Sequence, residues 1–161
     1  MRDFRSTRLL VGVMAAGALL VGCGDDTIDA ALEVEPATVE FRALLEPWHE
    51  DLGVDPVLGD ALPAGGIESA YAHFADRWTI SLTLHAGSPG IDDFNGLAGD
   101  CFALTPRCPV GLIAIVVDGT VVSAPTVNAP TFDRDQITIS GSFTEDEANA
   151  LAASIRAGAN G

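Results

Sequence analysis

The chain reads as an α+β domain, a largely antiparallel sheet with helices packed on it, for three reasons. A continuous apolar run at residues 112–117 meets Asp118-Gly119, a pair suited to a type I′ hairpin, and Val121-Val122 return beyond it. Residues 78–84 alternate apolar and polar, the mark of a half-buried strand. Thr144 and Glu147 form a capping box ahead of a helical apolar stripe. These elements follow one another without strict βαβ alternation, which favours antiparallel neighbours.

Taken in order, residues 39–45 are read as a first strand. Ile67, Ala70, Tyr71 and Phe74 have helical spacing, so this segment is expected to be a helix, with Gly65-Gly66 blurring its start. In residues 78–84, Trp78, Ile80, Leu82 and Leu84 share one face, and Thr79, Ser81 and Thr83 the other. Ser88-Pro89 suits the N-cap and first position of a helix through Ile91, Phe94 and Leu97.

Residues 112–117 are a run short enough for a strand buried on both faces. Pro125 and Pro130 bracket the next stretch, and proline has no N–H for a ladder, so an edge or loop is expected there. Residues 136–140 place Ile137 and Ile139 on one face of a half-exposed strand. Ala148, Leu151, Ala152 and Ile155 then line one side of the last helix. Arg156 suits the negative end of its dipole, and a left-handed Gly158 is expected to end it after Ala157.

The N-terminus indicates location. Arg2, Arg5 and Arg8 precede an apolar run over residues 9–21, too short for a comfortable membrane span but suited to a secretory signal. The run ends in Leu20-Val21-Gly22-Cys23, which resembles a bacterial lipobox. That resemblance implies cleavage before Cys23 and a diacylglycerol (with palmitate) on its thiol; the residues alone leave a plain anchor helix or a coincidental cysteine open. The expected organisation is a signal peptide at 1–22, an acidic tether at 23–35 and a domain at 36–161.

Removing residues 1–22 would take three arginines and one aspartate, leaving five basic and 22 acidic residues in a chain with no lysine. A phosphate-binding surface is therefore not expected, and neither is a nucleic-acid partner. Two acyl chains at Cys23 would supply stable membrane attachment without help from protein charge. The location implied is the extracytoplasmic face of a bacterial cell membrane. About 139 residues would remain, enough for one ordinary domain.

Cys101 and Cys108 flank a proline-bearing loop. In an exported chain they favour a disulfide over a metal site, because no histidine lies nearby to complete a ligand set; a redox centre is a weaker alternative, since the spacing is not CxxC. His49, His73 and His85 are scattered and read as surface or capping residues, with His73 on the solvent side of the expected helix. Asp92-Asp93 and Asp133 with Asp135 lack the glycine and terminal glutamate of a calcium loop. Ser123 and Ser142 lack a nucleophile elbow. No catalytic residue, metal or cofactor is assigned, and the chain is not expected to be an enzyme.

The order Asp118-Gly119, Ser123-Ala124-Pro125 and Gly141-Ser142-Phe143-Thr144 resembles the head region of the first extracytoplasmic domain of the SecD protein-export subunit. Phe41-Arg42, Leu58-Gly59 with Gly66 and Ala70, and residues 78–84 extend the resemblance over about residues 38–158. The segment from Cys101 to Cys108 is similar to an insertion of actinobacterial members. The resemblance implies contact with preprotein emerging from the Sec translocase. No apolar run after the signal is long enough to carry a proton-conducting membrane portion, so a polypeptide-contacting module on a lipid anchor is expected rather than a complete motor.

Three classes remain: a noncatalytic extracytoplasmic binding module for exported polypeptide or the Sec machinery, a structural envelope lipoprotein without an export role, and a ligand sensor or enzyme. For the first, the candidate contact residues are Ser123, Ala124, Pro125, Thr126, Val127 and Asn128, which follow the hairpin on an edge open to strand addition.

Overall fold

The computed structural model describes residues 34–49 and 53–159. The expected signal, Cys23 and nearly all of the tether lie outside the described residues. The elements are β1 (Val39–Leu44), β2 (Leu58–Ala61), β3 (Ile67–Ala75), β4 (Arg77–Leu84), α1 (Ile91–Phe102), β5 (Ile113–Val117), β6 (Thr120–Ser123), β7 (Ile137–Phe143) and α2 (Glu145–Ala159). The class is α+β and the described strand pairings are antiparallel. They form two sheets where one was expected, ordered β2-β1-β5-β6 and β3-β4-β7.

The hairpin between β5 and β6 turns as its sequence dictates, with positive φ at Asp118 (48°) and Gly119 (79°). Asp118 does a second job. Its Oδ1 accepts from the Thr38 N–H at 2.8 Å, while its own N–H donates to the Thr38 carbonyl at 3.0 Å. The turn thereby fixes the chain entering β1.

The helix expected at Ile67 to Phe74 is a strand. β3 pairs with β4 from Ile67↔Leu84 to Ala75↔Arg77, with a bulge between Ile67 and Ser69. The extra residue puts Ile67 and Ala70, three apart, into the same core, so the bulge imitates a helical interval. Beyond it, Ala70, Ala72 and Phe74 follow the ordinary two-residue period.

Two helix ends also differ from expectation. The N-cap of α1 is Gly90, not Ser88, and no side chain caps it. The Ser88-Pro89 peptide is cis, and the loop brings the Ile91 N–H to the His85 carbonyl (3.0 Å) and the Asp92 N–H to that of Gly87 (3.1 Å). Backbone carbonyls thus replace the side-chain cap, and a Cβ on Gly90 would stand 2.3 Å from the His85 oxygen. Ser88 Oγ instead donates to Asp93 Oδ2 at 2.6 Å. At the other end, Gly158 does not terminate α2, which runs to Ala159. Its bare Cα lets the Ala37 carbonyl approach, and the Ala37 N–H donates to the Ser154 carbonyl at 3.0 Å.

The main core lies between the sheets and helices. Phe41, Ile113 and Ile115 meet Ile80, Leu82, Ile137 and Ile139, with Phe94 and Leu97 from α1 and Ala148, Ala152 and Ile155 from α2. Leu44, Ala114 and Val116 form a second cluster with Trp48 and Val121. Every residue of β5 is buried, which explains its unbroken apolar run. Cys101 in α1 and Cys108 are joined by a disulfide, both essentially buried, with Cα atoms 4.7 Å apart.

Candidate functional site

The residues singled out after the hairpin lie along the seam between the sheets. β6 and the segment following it flank β7 without forming a ladder with it. Leu112 and Thr126 form an antiparallel bridge, framed by the Ile113 N–H donating to the Pro125 carbonyl (3.2 Å) and the Val127 N–H donating to the Gly111 carbonyl (2.9 Å). The segment is therefore tied to the start of β5 along one side. In such a pair the N–H and C=O of Thr126 point away from Leu112, so Thr126 offers its backbone to an incoming strand.

The six residues differ in what they offer. Pro125, Thr126 and Asn128 are exposed, whereas Ser123, Ala124 and Val127 are half-buried. Val127 packs on the main core and Ala124 on the second cluster. Beneath Thr126 lies a cavity of about 220 Å³ lined by Phe94, Ile113, Ile115, Val127, Phe132 and Ile137. It lies below the usual ligand-site range of roughly 300–1,000 Å³ and suits a single apolar side chain. On the other side of the seam, Trp48, Val122, Phe143 and Leu151 line a wider, shallower groove with Ser123 and Ser142.

A wall of the small cavity comes from the loop between β6 and β7. Asn95 Oδ1 accepts from the Phe132 N–H at 2.8 Å, and Asn95 Nδ2 donates to the Phe132 carbonyl at 3.2 Å. Phe132 then meets Phe94 edge to face at 5.9 Å, and Phe94 meets Phe41 the same way at 5.2 Å. The Arg134 carbonyl accepts from the Leu84 N–H at 2.8 Å, while its guanidinium pairs with Glu68. Sequence reading missed Asn95, Phe132 and Arg134. Their roles come from contacts across 37 or more residues, and no local pattern announces them.

The polar residues form no comparable centre. His73 is on β3, its Nε2 3.3 Å from Thr79 Oγ1 and its Nδ1 3.5 Å from Ser81 Oγ. His85 Nδ1 stands 3.9 Å from Glu68, and His49 is exposed. Asp133 and Asp135 are exposed, and among the described residues no group of three or more His, Cys, Asp or Glu side chains could hold a metal. Among the described residues, the one clear pKa change is at Glu147. Its carboxylate accepts from the Thr144 N–H at 2.8 Å and the Thr144 hydroxyl at 2.9 Å, which together hold its pKa below the ordinary value.

Known proteins share this framework. The family model for the SecDF P1 head subdomain matches residues 60–159, from the end of β2 to the end of α2. The SecD subunit of Rickettsia bellii is 44% identical over 66 residues, covering 40% of this chain and 13% of that protein. The SecD subunit of Elusimicrobium minutum is 31% identical over 152 residues, covering 78% of this chain and 30% of that protein. The chain thus spans less than a third of either relative.

A crystal structure of SecDF in its super-membrane-facing form superposes with a TM-score of 0.59 at 25% identity, over 78% of this chain and 19% of that one. A second structure, of a SecDF described as a membrane component that enhances protein export, gives 0.60 at 24% identity, over 87% and 72%. Among the described residues no helix is long and apolar enough to cross a membrane. With the family model covering most of the chain and the same fold in both structures, the chain belongs to the SecDF P1 head subdomain family.

Proposed function

We propose that this domain is a noncatalytic extracytoplasmic module that contacts extended polypeptide during protein export, held to the membrane by diacylglycerol on Cys23. The observation that carries the reading is Thr126, whose outward backbone groups stand beside an apolar cavity of about 220 Å³ at the seam. An incoming strand can pair with Thr126 while one of its side chains enters that cavity. Membership in the SecDF head family supports an export role, and the Sec translocase is the partner proposed on that ground.

The experiment is titration of the full chain, in detergent, with unfolded peptides that contain or lack a large aliphatic residue. Binding at micromolar or weaker affinity is expected for a small preformed edge, with preference for the aliphatic peptide. Thr126→Pro, which removes the outward N–H, should weaken binding. Val127→Glu is unsuitable because Val127 packs on the core, so the charge would disturb folding itself. No binding at high peptide concentration, or equal binding by Thr126→Pro, would refute the reading.

A further inference from the structure

The second sheet has an edge that no described strand covers. β3 stands at the end of the order β3-β4-β7, and at nine residues it is the longest strand described. Arg156 of α2 reaches across to it, its Nη1 donating to the Ala70 carbonyl at 2.6 Å. That contact fixes which groups face outward. Because outward-facing residues alternate in an antiparallel strand, Ala72 and Phe74 also direct their N–H and C=O away from β4.

Residues 69–75 read Ser-Ala-Tyr-Ala-His-Phe-Ala, with no lysine, proline or carboxylate. Natural sheets usually blunt an exposed edge with one of these devices, and the bulge of β3 lies before this stretch. Two aromatic side chains stand beside the edge on opposite faces, Tyr71 at 55% exposure and Phe74 at 64%. Phe74 also meets Trp78 edge to face at 5.8 Å. The outermost strand therefore offers hydrogen bonds along its margin and an aromatic surface on each side.

We propose that the free edge of β3 at residues 71–75 is a strand-addition site for extended polypeptide of neutral to basic character. This rests on the reading of the domain as a polypeptide-contacting module and assigns it a surface separate from the Thr126 seam. Charge selects this occupant over a second copy. The chain carries a net charge of −15, so two copies repel. A lysine-bearing strand does not meet that repulsion.

The test uses the full chain in detergent and a short unfolded peptide rich in valine and threonine, carrying two lysines. Amide hydrogen exchange should slow at Ala72 and Phe74 when the peptide is added, and a glutamate-for-lysine version of the peptide should bind more weakly. Ala72→Pro should reduce affinity about tenfold or more, and if that variant does not fold, exchange in the unmodified chain decides. Protection at Thr126 without change at Ala72 and Phe74 would overturn the β3 site and leave the seam reading intact. Absence of binding anywhere would end both. Light scattering that reports a dimer, with Ala72 and Phe74 already protected before peptide is added, would assign the edge to a second copy and refute the proposal.

Discussion

The carbonyl oxygen of Ala37 stands 2.2 Å from where a Cβ on Gly158 would lie. Glycine is therefore required inside α2 for a packing reason, since the chain entering β1 presses against that point. Gly158→Ala should destabilise the domain by about 1 to 3 kcal/mol, the usual cost of forced overpacking. Urea denaturation of the two proteins measures this, and equal midpoints would show that the entry segment moves aside freely.

The capping box at Thr144 and Glu147 predicts a pH dependence. Glu147 has a folded-state pKa below its ordinary value, chiefly because the Thr144 N–H bonds its carboxylate, with the Thr144 hydroxyl second. An acid with a lowered pKa contributes stability that is full above its unfolded value and lost as pH falls through the folded one. The advantage of the native chain over Glu147→Ala should thus be constant near neutrality and shrink under acid. A gap that stays the same down to the lowest pH at which both variants fold would count against the assignment.

The disulfide links α1 to the chain just before β5, across a sequence separation of seven. Replacing both cysteines by alanine should lower stability by about 1 to 3 kcal/mol, the lower end of the usual range because the ring is short. In the isolated native protein, both thiols should resist alkylation until a reductant is present. Immediate labelling of unreduced material would contradict the pairing.

The proposed anchor depends on one atom, the thiol of Cys23. Cys23→Ala should abolish lipid attachment and either release the protein or trap its precursor, read by mass spectrometry of membrane and soluble fractions. Retention of diacylglycerol by the variant would remove the basis for a lipid anchor at this position.

Elements governed by neighbours in sequence were legible from the residues alone. The Asp118-Gly119 turn, the buried run of β5, the alternation of β7 and the Thr144–Glu147 cap each follow from residues within a few positions of one another. The misreadings arose where backbone geometry or contacts outside the side-chain pattern take over. β3 borrowed a helical interval from its bulge, α1 takes its cap from the carbonyls of His85 and Gly87, and Gly158 answers to Ala37. At the site, Thr126 and Val127 were visible as members of an edge, but their opposite orientations were not. The cavity wall at Phe132 depends on Asn95, a pairing that sequence periodicity cannot encode.

The absence of a ladder between β6 and β7 has a mechanical meaning. Pulling two paired strands apart lengthwise loads many hydrogen bonds at once, whereas side-chain contacts across a seam give way in succession. If the proposed contact with a moving chain loads the domain, that seam, held by side chains alone, is where the two sheets are expected to part first. The disulfide lies to one side of it, bridging α1 and the approach to β5, and so leaves the seam itself without a covalent tie.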